Sequence, residues 1–347
     1  MAIAESHTVD ARGPESGRDP ILSVRGLVVQ FGSHEEDVVT AVDDVSFDLF
    51  PGETLGLVGE SGSGKSVSVM SVLGLTPGRV VAGSVTYAGR DLLGMSKEGI
   101  RQLRGGEIAM IFQDPMSSLN PLMRVGRQIS ETLRLHQPGL SRSVRDARAV
   151  ELLRVVGVPH PELRVRQFPF EFSGGMRQRV MIAMAIANAP KVLIADEPTT
   201  ALDVTIQAQV LEVFREARDA TDSAAILITH DLGVVAEMAD RVMVMYAGRV
   251  VELAGVYEIF AEPRHPYTKG LMASMPRLDE PAGHLSAIPG NPPNIAELPR
   301  GCPFQPRCAL SAGRDVCATT RPPLVDIGGR FSACHFSDEL AADGAAR

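Results

Sequence analysis

Hydrophobic and polar residues alternate along two early stretches of the chain, residues 22–30 and 38–49. A period of two is typical of strands that bury one face, so both stretches are predicted to be antiparallel strands. Residues 55–58 form a short apolar run and are predicted to be a central strand. Further strands are predicted at residues 83–88, 107–112, 192–195 and 224–229.

The pattern becomes helical and more charged over residues 114–171, and residues 176–188, rich in Met, Ala and Ile, predict a strong helix. Residues 241–246 and 249–253, separated by Ala247-Gly248, predict a closing hairpin. Strands that alternate with helices favour an α/β core with a mainly parallel, buried sheet. The early strands add an antiparallel β subdomain, and residues from about 114 to 175 add a helical subdomain.

Proline becomes frequent after about Phe260, so residues 261–347 cannot hold long helices or a sheet interior. We expect a small module there that wraps around the core or is appended to it. Residues 1–20 are polar and lack the apolar segment of a secretory signal, and we expect a disordered leader. The predicted domains are therefore the leader at 1–20, a core domain at 21–260 and the C-terminal module at 261–347.

The composition is that of a globular protein, with 44% hydrophobic and 22% charged residues. The formal net charge of -8 disfavours nucleic acid as a main partner, because phosphate contacts need clustered Lys and Arg. No apolar run approaches the ~20 residues that a membrane-spanning helix needs. These features predict a cytosolic protein.

The segment Gly59 to Ser66 reads GESGSGKS and follows an apolar run. It matches the phosphate-loop pattern G-x-x-x-x-G-K-[ST] in the expected strand–loop–helix context. Gly62 and Gly64 would let backbone N–H groups surround an anion, Lys65 would meet the β- and γ-phosphates, and Ser66 would offer a hydroxyl to Mg²⁺. The alternative is a flexible Gly/Ser loop.

Two carboxylates, Asp196 and Glu197, end the apolar run that starts after Lys191. Buried acids at a strand tip are unfavourable unless a cation compensates them, and Mg²⁺ on Asp196 would do so. Glu197 would then lie beside the γ-phosphate, where it could polarise the attacking water. The alternative is a strand end followed by ordinary surface acids.

Gln113 and His230 each follow a predicted strand. Gln113 could contact Mg²⁺ or water from a loop that moves; taken alone, a glutamine there would be an ordinary surface residue. A lone histidine at a strand end is more often structural, but the position of His230 at the end of a third core strand favours a residue that reaches a γ-phosphate and senses its presence.

Ser173 precedes Gly174-Gly175 at the start of the strong helix and is a plausible helix cap. The two glycines clear space for an anion at the helix N-terminus. One nucleotide does not need two such sites in one subunit. We therefore expect a dimer, in which this second site covers the γ-phosphate held by the phosphate loop of the partner.

Taken together, these motifs resemble the nucleotide-binding subunit of an ATP-binding cassette transporter, over residues 22–260 and in the order of that family. The fold implied is a P-loop NTPase core. The matching segments are Gly59 to Ser66 for Walker A, Gln113 for the Q-loop, Ser173-Gly174-Gly175 for the signature, Asp196-Glu197 for Walker B, Ala201-Leu202-Asp203 for the D-loop and His230 for the switch histidine.

The resemblance also implies the roles of individual residues. Phe31 sits where the family places an aromatic ring against adenine, with a core strand aromatic as the alternative. The signature departs from the common Leu-Ser-Gly-Gly-Gln form at Phe172 and Met176. The implied nucleotide ligands are Phe31, Gly59, Ser61, Gly62, Ser63, Gly64, Lys65, Ser66, Ser173, Gly174, Gly175 and Asp203; the implied catalytic residues are Glu197, His230 and Gln113; and the implied Mg²⁺ ligands are Ser66, Gln113 and Asp196.

The family's mechanism implies two ATPase subunits, identical or paralogous, closing head-to-tail around two ATP molecules. It also implies two transmembrane permease subunits, an extracytoplasmic binding protein as an indirect partner, and a peripheral position at the cytoplasmic face of the membrane. Phosphoryl transfer needs positioning and charge stabilisation more than covalent chemistry. Gln113 and the helical segment after it would carry the motion to the membrane partner.

The tail resembles that of the oligopeptide and dipeptide importer ATPases, at residues 265–271, 288–290, 301–304 and 306–308. The implied function is ATP hydrolysis that drives uptake of di- or oligopeptides. The nickel importers share this subfamily, so uptake of nickel or another small solute is an alternative. A soluble cassette ATPase of translation or DNA repair would be expected to have two cassettes, long coiled coils or basic surfaces. An exporter would be expected to lack this tail.

The four cysteines, Cys302, Cys308, Cys317 and Cys334, have the spacing C-x5-C-x8-C-x16-C. This is neither the paired spacing of zinc ribbons nor the usual ferredoxin spacing. Four thiolates close together in a Pro-rich segment still suggest a metal that stabilises it. We favour a [4Fe–4S] cluster, which the subfamily resemblance supports, over zinc or four unligated thiols. His335 is a possible substitute ligand.

Overall fold

The computed structural model describes residues 18–33, 37–200, 202–275 and 287–344. Most of the expected leader, residues 1–17, and Ala201 of the predicted D-loop lie outside the described residues. Within the described ranges, no helix is long and apolar enough to cross a membrane. The described residues form two compact units: those within 1–50, 55–94 and 229–347 make the first, and those within 51–54 and 95–228 make the second.

An antiparallel sheet lies at the start of the first unit. Its strands are β1 (Leu22–Phe31), β2 (Val39–Leu49), β4 (Arg79–Tyr87) and β5 (Arg90–Asp91), in the order β2-β1-β4-β5. The alternation in β1 buries one face. Strand β4 begins four residues before the predicted start at residue 83, because pairing with β1 extends to the register Gln30–Arg79.

A second group of strands in the first unit consists of β3 (Thr54–Val58), β9 (Arg241–Tyr246), β10 (Arg249–Gly255), β11 (Val325–Asp326) and β12 (Phe331–Ser332). Their order is β11-β12-β10-β9-β3. Strand β3 pairs in parallel with β9, and β9 forms the predicted hairpin with β10. The helices of this unit are α1 (Lys65–Val72), α9 (Leu232–Met238), α10 (Val256–Ala261), α11 (Pro266–Ala273), α12 (Asp315–Thr319) and α13 (Ser337–Gly344).

The Pro-rich C-terminal segment shares a hydrophobic cluster with the rest of the first unit. Tyr267 and Phe304 pack in the same cluster as Val58, Val244 and Tyr246. The three aromatic rings contact one another with centroids 4.6 to 5.4 Å apart. Aromatic packing of this kind stabilises beyond simple area burial, so the segment is bound to the end of β9 by its aromatic residues.

The second unit contains three parallel strands in the order β8-β7-β6, with β7 and β8 buried along their whole length. The predicted helix at 176–188 begins at Gly174, because Ser173 caps it. The strands are β6 (Ile108–Ile111), β7 (Val192–Asp196) and β8 (Ala224–Ile228). The helices are α2 (Lys97–Leu103), α3 (Pro115–Ser118), α4 (Val125–His136), α5 (Arg142–Val155), α6 (Pro161–Arg164), α7 (Gly174–Ile186) and α8 (Val204–Thr221).

Candidate functional site

The phosphate loop connects β3 to α1, as the pattern predicts. Gly59 and Gly64 have positive φ angles of 152° and 93°. A Cβ at Gly59 would lie 2.2 Å from the Met245 carbonyl oxygen, and one at Gly64 would lie 2.7 Å from the Ala41 carbonyl oxygen. Both glycines are therefore required by backbone conformation and by close backbone packing.

Lys65 is buried in this loop, with 6% of its surface exposed. Its Nζ donates to the carbonyl oxygens of Gly59 at 2.7 Å and Glu60 at 3.1 Å. The Ser63 Oγ is buried and has no hydrogen-bond partner, which is unusual for a buried hydroxyl. Ser61 and Gly62 are exposed and Ser66 is half-buried. A buried ammonium, an unsatisfied hydroxyl and an open glycine turn fit the phosphates of a nucleotide.

Two other predicted residues lie in the first unit. Phe31 is the last residue of β1 rather than a residue after the strand, and it is half-buried. Its ring lies so close to Gly78 that a Cβ there would approach it to 2.9 Å. His230 is exposed, and the N–H of its neighbour Thr229 donates to the Leu57 carbonyl at 3.1 Å. His230 therefore follows a residue anchored to β3.

In the second unit, the tips of β6 and β7 bring Gln113 and Glu197 together. The Gln113 Nε2 donates to the Glu197 Oε2 at 3.0 Å. The Thr200 Oγ1 donates to the same oxygen at 2.8 Å. Glu197 has φ of 46°, an uncommon conformation for a non-glycine residue, and its N–H donates to the Ile228 carbonyl at 2.9 Å. Glu197 is thus held by a backbone hydrogen bond and by two side-chain donors to its carboxylate. The preceding residue, Asp196, is buried, with 3% of its surface exposed.

The signature residues lie at the start of α7. The Ser173 Oγ accepts from the Met176 N–H at 3.3 Å and caps the helix. Ser173 and Gly174 are exposed, while a Cβ on Gly175 would lie 2.5 Å from the Ile206 side chain. Asp203 caps α8 by accepting from the Ile206 N–H at 3.0 Å. Ser173 and Asp203 therefore each have a local structural role, and Gly175 is required by packing.

All four cysteines line one cavity in the C-terminal segment of the first unit. They are free thiols: Cys317 is buried and the other three are half-buried. Burial raises the pKa of each thiol, to about 11 for Cys334. Within the described residues, no group of three or more His, Cys, Asp or Glu is arranged to hold a metal ion. The donors are of the soft type that binds zinc and iron–sulfur clusters, but they form no single-ion site.

The sequence reasoning missed a contact between the C-terminal segment and the phosphate loop. Arg307 forms a two-point ion pair with Glu60, the second residue of the loop, although 247 positions separate them. The Tyr267 hydroxyl accepts from the Glu60 N–H at 2.8 Å. Tyr267 belongs to a segment that carries the subfamily resemblance, but no spacing along the chain indicates which residue it contacts.

Comparisons with known proteins agree with the motifs and the fold. Residues 42–200 match the family described as ABC transporter, and residues 251–317 match the family described as Oligopeptide/dipeptide transporter, C-terminal region. The oligopeptide transport ATP-binding protein OppD of Salmonella typhimurium is 50% identical over 336 residues, which cover 96% of this chain and 98% of that protein. The chain belongs to the ABC transporter family of ATP-binding proteins. The predicted family and the predicted oligopeptide-type tail are confirmed.

Other relatives differ in length or are known as structures. The OppD of Mycobacterium tuberculosis is 52% identical over 323 residues, which are 92% of this chain and 52% of that protein, so the chain spans about half the length of this relative. The structure of the dimeric ATP-binding cassette MJ0796 bound to ADP and Pi has a TM-score of 0.61 at 24% identity, and the match covers 68% of this chain and 98% of that one. The cbiO1 protein of Clostridium perfringens, part of the ABC transporter complex cbiONQ, has a TM-score of 0.59 at 27% identity, over 70% and 92% of the two chains. The predicted α/β cassette fold is confirmed.

Proposed function

We propose that this ABC protein hydrolyses ATP to drive the uptake of di- or oligopeptides through a membrane transporter. The observation that carries the proposal is the phosphate loop, with its buried Lys65 ammonium and its unpartnered Ser63 hydroxyl. The peptide substrate is supported by the matched C-terminal region and by relatives named as oligopeptide transport proteins. Comparable relatives of three Brucella species are named as putative peptide import proteins.

We propose that Glu197 is the base that accepts a proton from the attacking water. Gln113 and Thr200 both donate to its Oε2, and this fixes the plane of the carboxylate. Fixed orientation of a base contributes to catalysis because less rearrangement is needed in the transition state. Lys65 would hold the terminal phosphates. When bound, Mg²⁺ would neutralise phosphate charge, with Ser66, Asp196 and Gln113 as its ligands.

We also propose that two ATPase subunits, identical or paralogous, share each nucleotide, with Ser173 of one subunit meeting the γ-phosphate held by the other. The exposure of Ser173 and Gly174 at the start of α7 supports this role, because both are accessible to a second chain. The switch histidine His230 is exposed as well.

The permease partner would dock in a groove of the second unit, which has a volume of about 1070 Å³. Its lining is mixed: the apolar residues Leu122, which is 86% exposed, Met123, Val165 and Phe168 lie among six arginines and three acidic residues. A partner helix that combines an apolar face with acidic side chains would complement this groove. The protein would therefore be peripheral, at the cytoplasmic face of the membrane.

For the four cysteines we propose a [4Fe–4S] cluster. Their common cavity supports it, because a cluster is held by thiolates arranged around a volume. Zinc held by the same four thiolates is the alternative, and the iron content of the purified chain separates the two. A positive centre would also reverse the effect of burial on the thiols. An anaerobic preparation of the chain that contains no iron and is colourless would contradict the cluster.

The catalytic proposal is tested by Glu197→Gln in the complex reconstituted with its permease subunits. Loss of a general base typically lowers turnover by about 10² to 10⁴-fold, while ATP binding should be unchanged. The matched control is Glu212→Gln, an exposed glutamate of α8 that pairs with its helical neighbour Arg215. Near-normal hydrolysis by the Glu197 variant would remove it as the base. Stimulation of the wild-type ATPase by peptides but not by nickel would separate the two substrate classes.

A further inference from the structure

The contact between the C-terminal segment and the phosphate loop has a defined geometry. The two terminal nitrogens of Arg307 lie 2.7 and 2.9 Å from the two carboxylate oxygens of Glu60. The Arg307 side chain is 6% exposed and that of Glu60 is 23% exposed. Two parallel hydrogen bonds with little access to water make this pair stronger and more directional than a surface ion pair.

Arg307 is itself held in place. Its guanidinium lies over the rings of Tyr246 and Phe304, 5.9 Å from each centroid. Its Nε donates to the Pro289 carbonyl at 2.9 Å, and hydrogen bonding to Glu60 raises its pKa. Arg307 therefore presents a rigid donor pair to the loop.

Glu60 is held at its backbone as well. Its N–H donates to the hydroxyl of Tyr267, whose side chain is fully buried. The carbonyl oxygen of Glu60 accepts from the Lys65 Nζ at 3.1 Å. The position of Glu60 thus determines where one of the two carbonyl partners of the Lys65 ammonium lies. A contact made by Arg307 and Tyr267 is transmitted to Lys65 through a single residue.

We infer that Arg307 and Tyr267 are positioning residues that hold the phosphate loop in its nucleotide-binding conformation through Glu60. The inference rests on the proposed ATP binding and adds to it a role for the C-terminal segment. Arg307 also neutralises Glu60. Without Arg307, a partly buried carboxylate would lie unpaired in the loop that is to receive phosphate anions, and like charges repel.

Neutralisation of Glu60 by Arg307 predicts a specific pattern in a double-mutant cycle. Arg307→Met should raise the Kd of the full-length chain for a fluorescent MgATP analogue by about 10-fold or more, the effect of one lost charge-assisted pair. Adding Glu60→Gln to that variant removes the unpaired charge and should restore most of the affinity. Tyr267→Phe keeps the ring but removes the hydroxyl, and should weaken binding by a smaller factor.

The control is Arg314→Met in the same C-terminal segment. Arg314 also forms a two-point pair, with Glu339 at 3.0 and 2.6 Å, and stacks over an aromatic ring. We expect the Kd of this variant to stay within about two-fold of the wild type, since the pairing of Arg314 is similar but, among the described residues, no hydrogen bond or ion pair joins it to the loop. An equal loss in both arginine variants would show general damage to the segment and would overturn the inference.

Other outcomes separate this inference from the proposed function. A wild-type chain that binds no ATP analogue would refute the proposed function itself. Wild-type binding together with unchanged binding by Arg307→Met and Tyr267→Phe would refute only the positioning role. If Arg307→Met fails to fold, Tyr267→Phe and Arg307→Lys, which keeps the charge but loses the two-point geometry, provide the same test. If Glu60→Gln fails to restore affinity in the Arg307→Met variant, neutralisation of Glu60 is not the reason why Arg307 supports nucleotide binding.

Discussion

Ser173 has two possible roles that a pair of substitutions can separate. Its hydroxyl caps α7 by accepting from the Met176 N–H, and we propose that it also meets the γ-phosphate held by a second subunit. Ser173→Ala and Ser173→Gly both remove the hydroxyl. They differ in how well they replace a helix cap, because glycine is tolerated at that position and alanine is not.

The structural role is small in energy. At 3.3 Å the cap is a long hydrogen bond, so Ser173→Ala should lower the free energy of unfolding by about 1 kcal/mol, and Ser173→Gly by only a few tenths. A domain stable by roughly 5 kcal/mol or more stays about 99.9% folded after either change. The stability effect alone would leave turnover essentially unchanged. Loss of a hydroxyl that stabilises transition-state charge should instead lower turnover by about 10² to 10³-fold.

The assay is single-turnover and steady-state ATP hydrolysis by the reconstituted complex, with urea unfolding of each variant in parallel. We expect both variants to lose turnover by the same factor although their stabilities differ. Turnover that stays near the wild-type value in both variants, while their unfolding free energies differ, is what the cap alone predicts. That result would refute a phosphate contact by Ser173.

Two further predictions concern the C-terminal segment. Burial lowers the pKa of His265 to about 3, against ~6.5 in the unfolded chain, so the unfolded state takes up a proton first as the pH falls. The contribution of neutral His265 to stability is complete above pH ~6.5 and decreases toward pH 3, with a loss of about 2 kcal/mol at pH 5. In His265→Asn, the midpoint of urea unfolding should therefore change less between pH 7 and pH 5 than in the wild type. An equally steep change in the variant would contradict this. Phe304→Ala, which removes a side chain 3% exposed at the centre of the aromatic cluster, should cost about 3 to 5 kcal/mol by urea unfolding, while Tyr257→Ala, 88% exposed, should cost less than about 0.5 kcal/mol. Equal midpoints for these two variants would show that the segment is not held by its aromatic residues.

The sequence alone determined the elements whose signals are local. The alternation in residues 22–30, the apolar runs before Gly59 and Asp196 and the cap at Ser173 each depend on neighbours a few positions away, and the structure has strands or a helix start at all of them. The glycines of the phosphate loop could also be predicted from the sequence, because the backbone conformation of the loop requires glycine at these positions. These signals were sufficient for the fold class and the family.

Only the tertiary structure decided which distant side chains meet. Gln113 and Glu197 share a hydrogen bond because β6 and β7 are neighbouring parallel strands. The residues of a single strand do not indicate which strand will pair with it. Arg307 is one arginine among many, and only chain closure over 247 positions places it on Glu60. The guanidinium of Arg307 lies over the rings of Tyr246 and Phe304, so its position opposite Glu60 depends on how these aromatic residues pack. The energy of this ion pair arises from burial and two-point geometry, neither of which exists until the chain has folded.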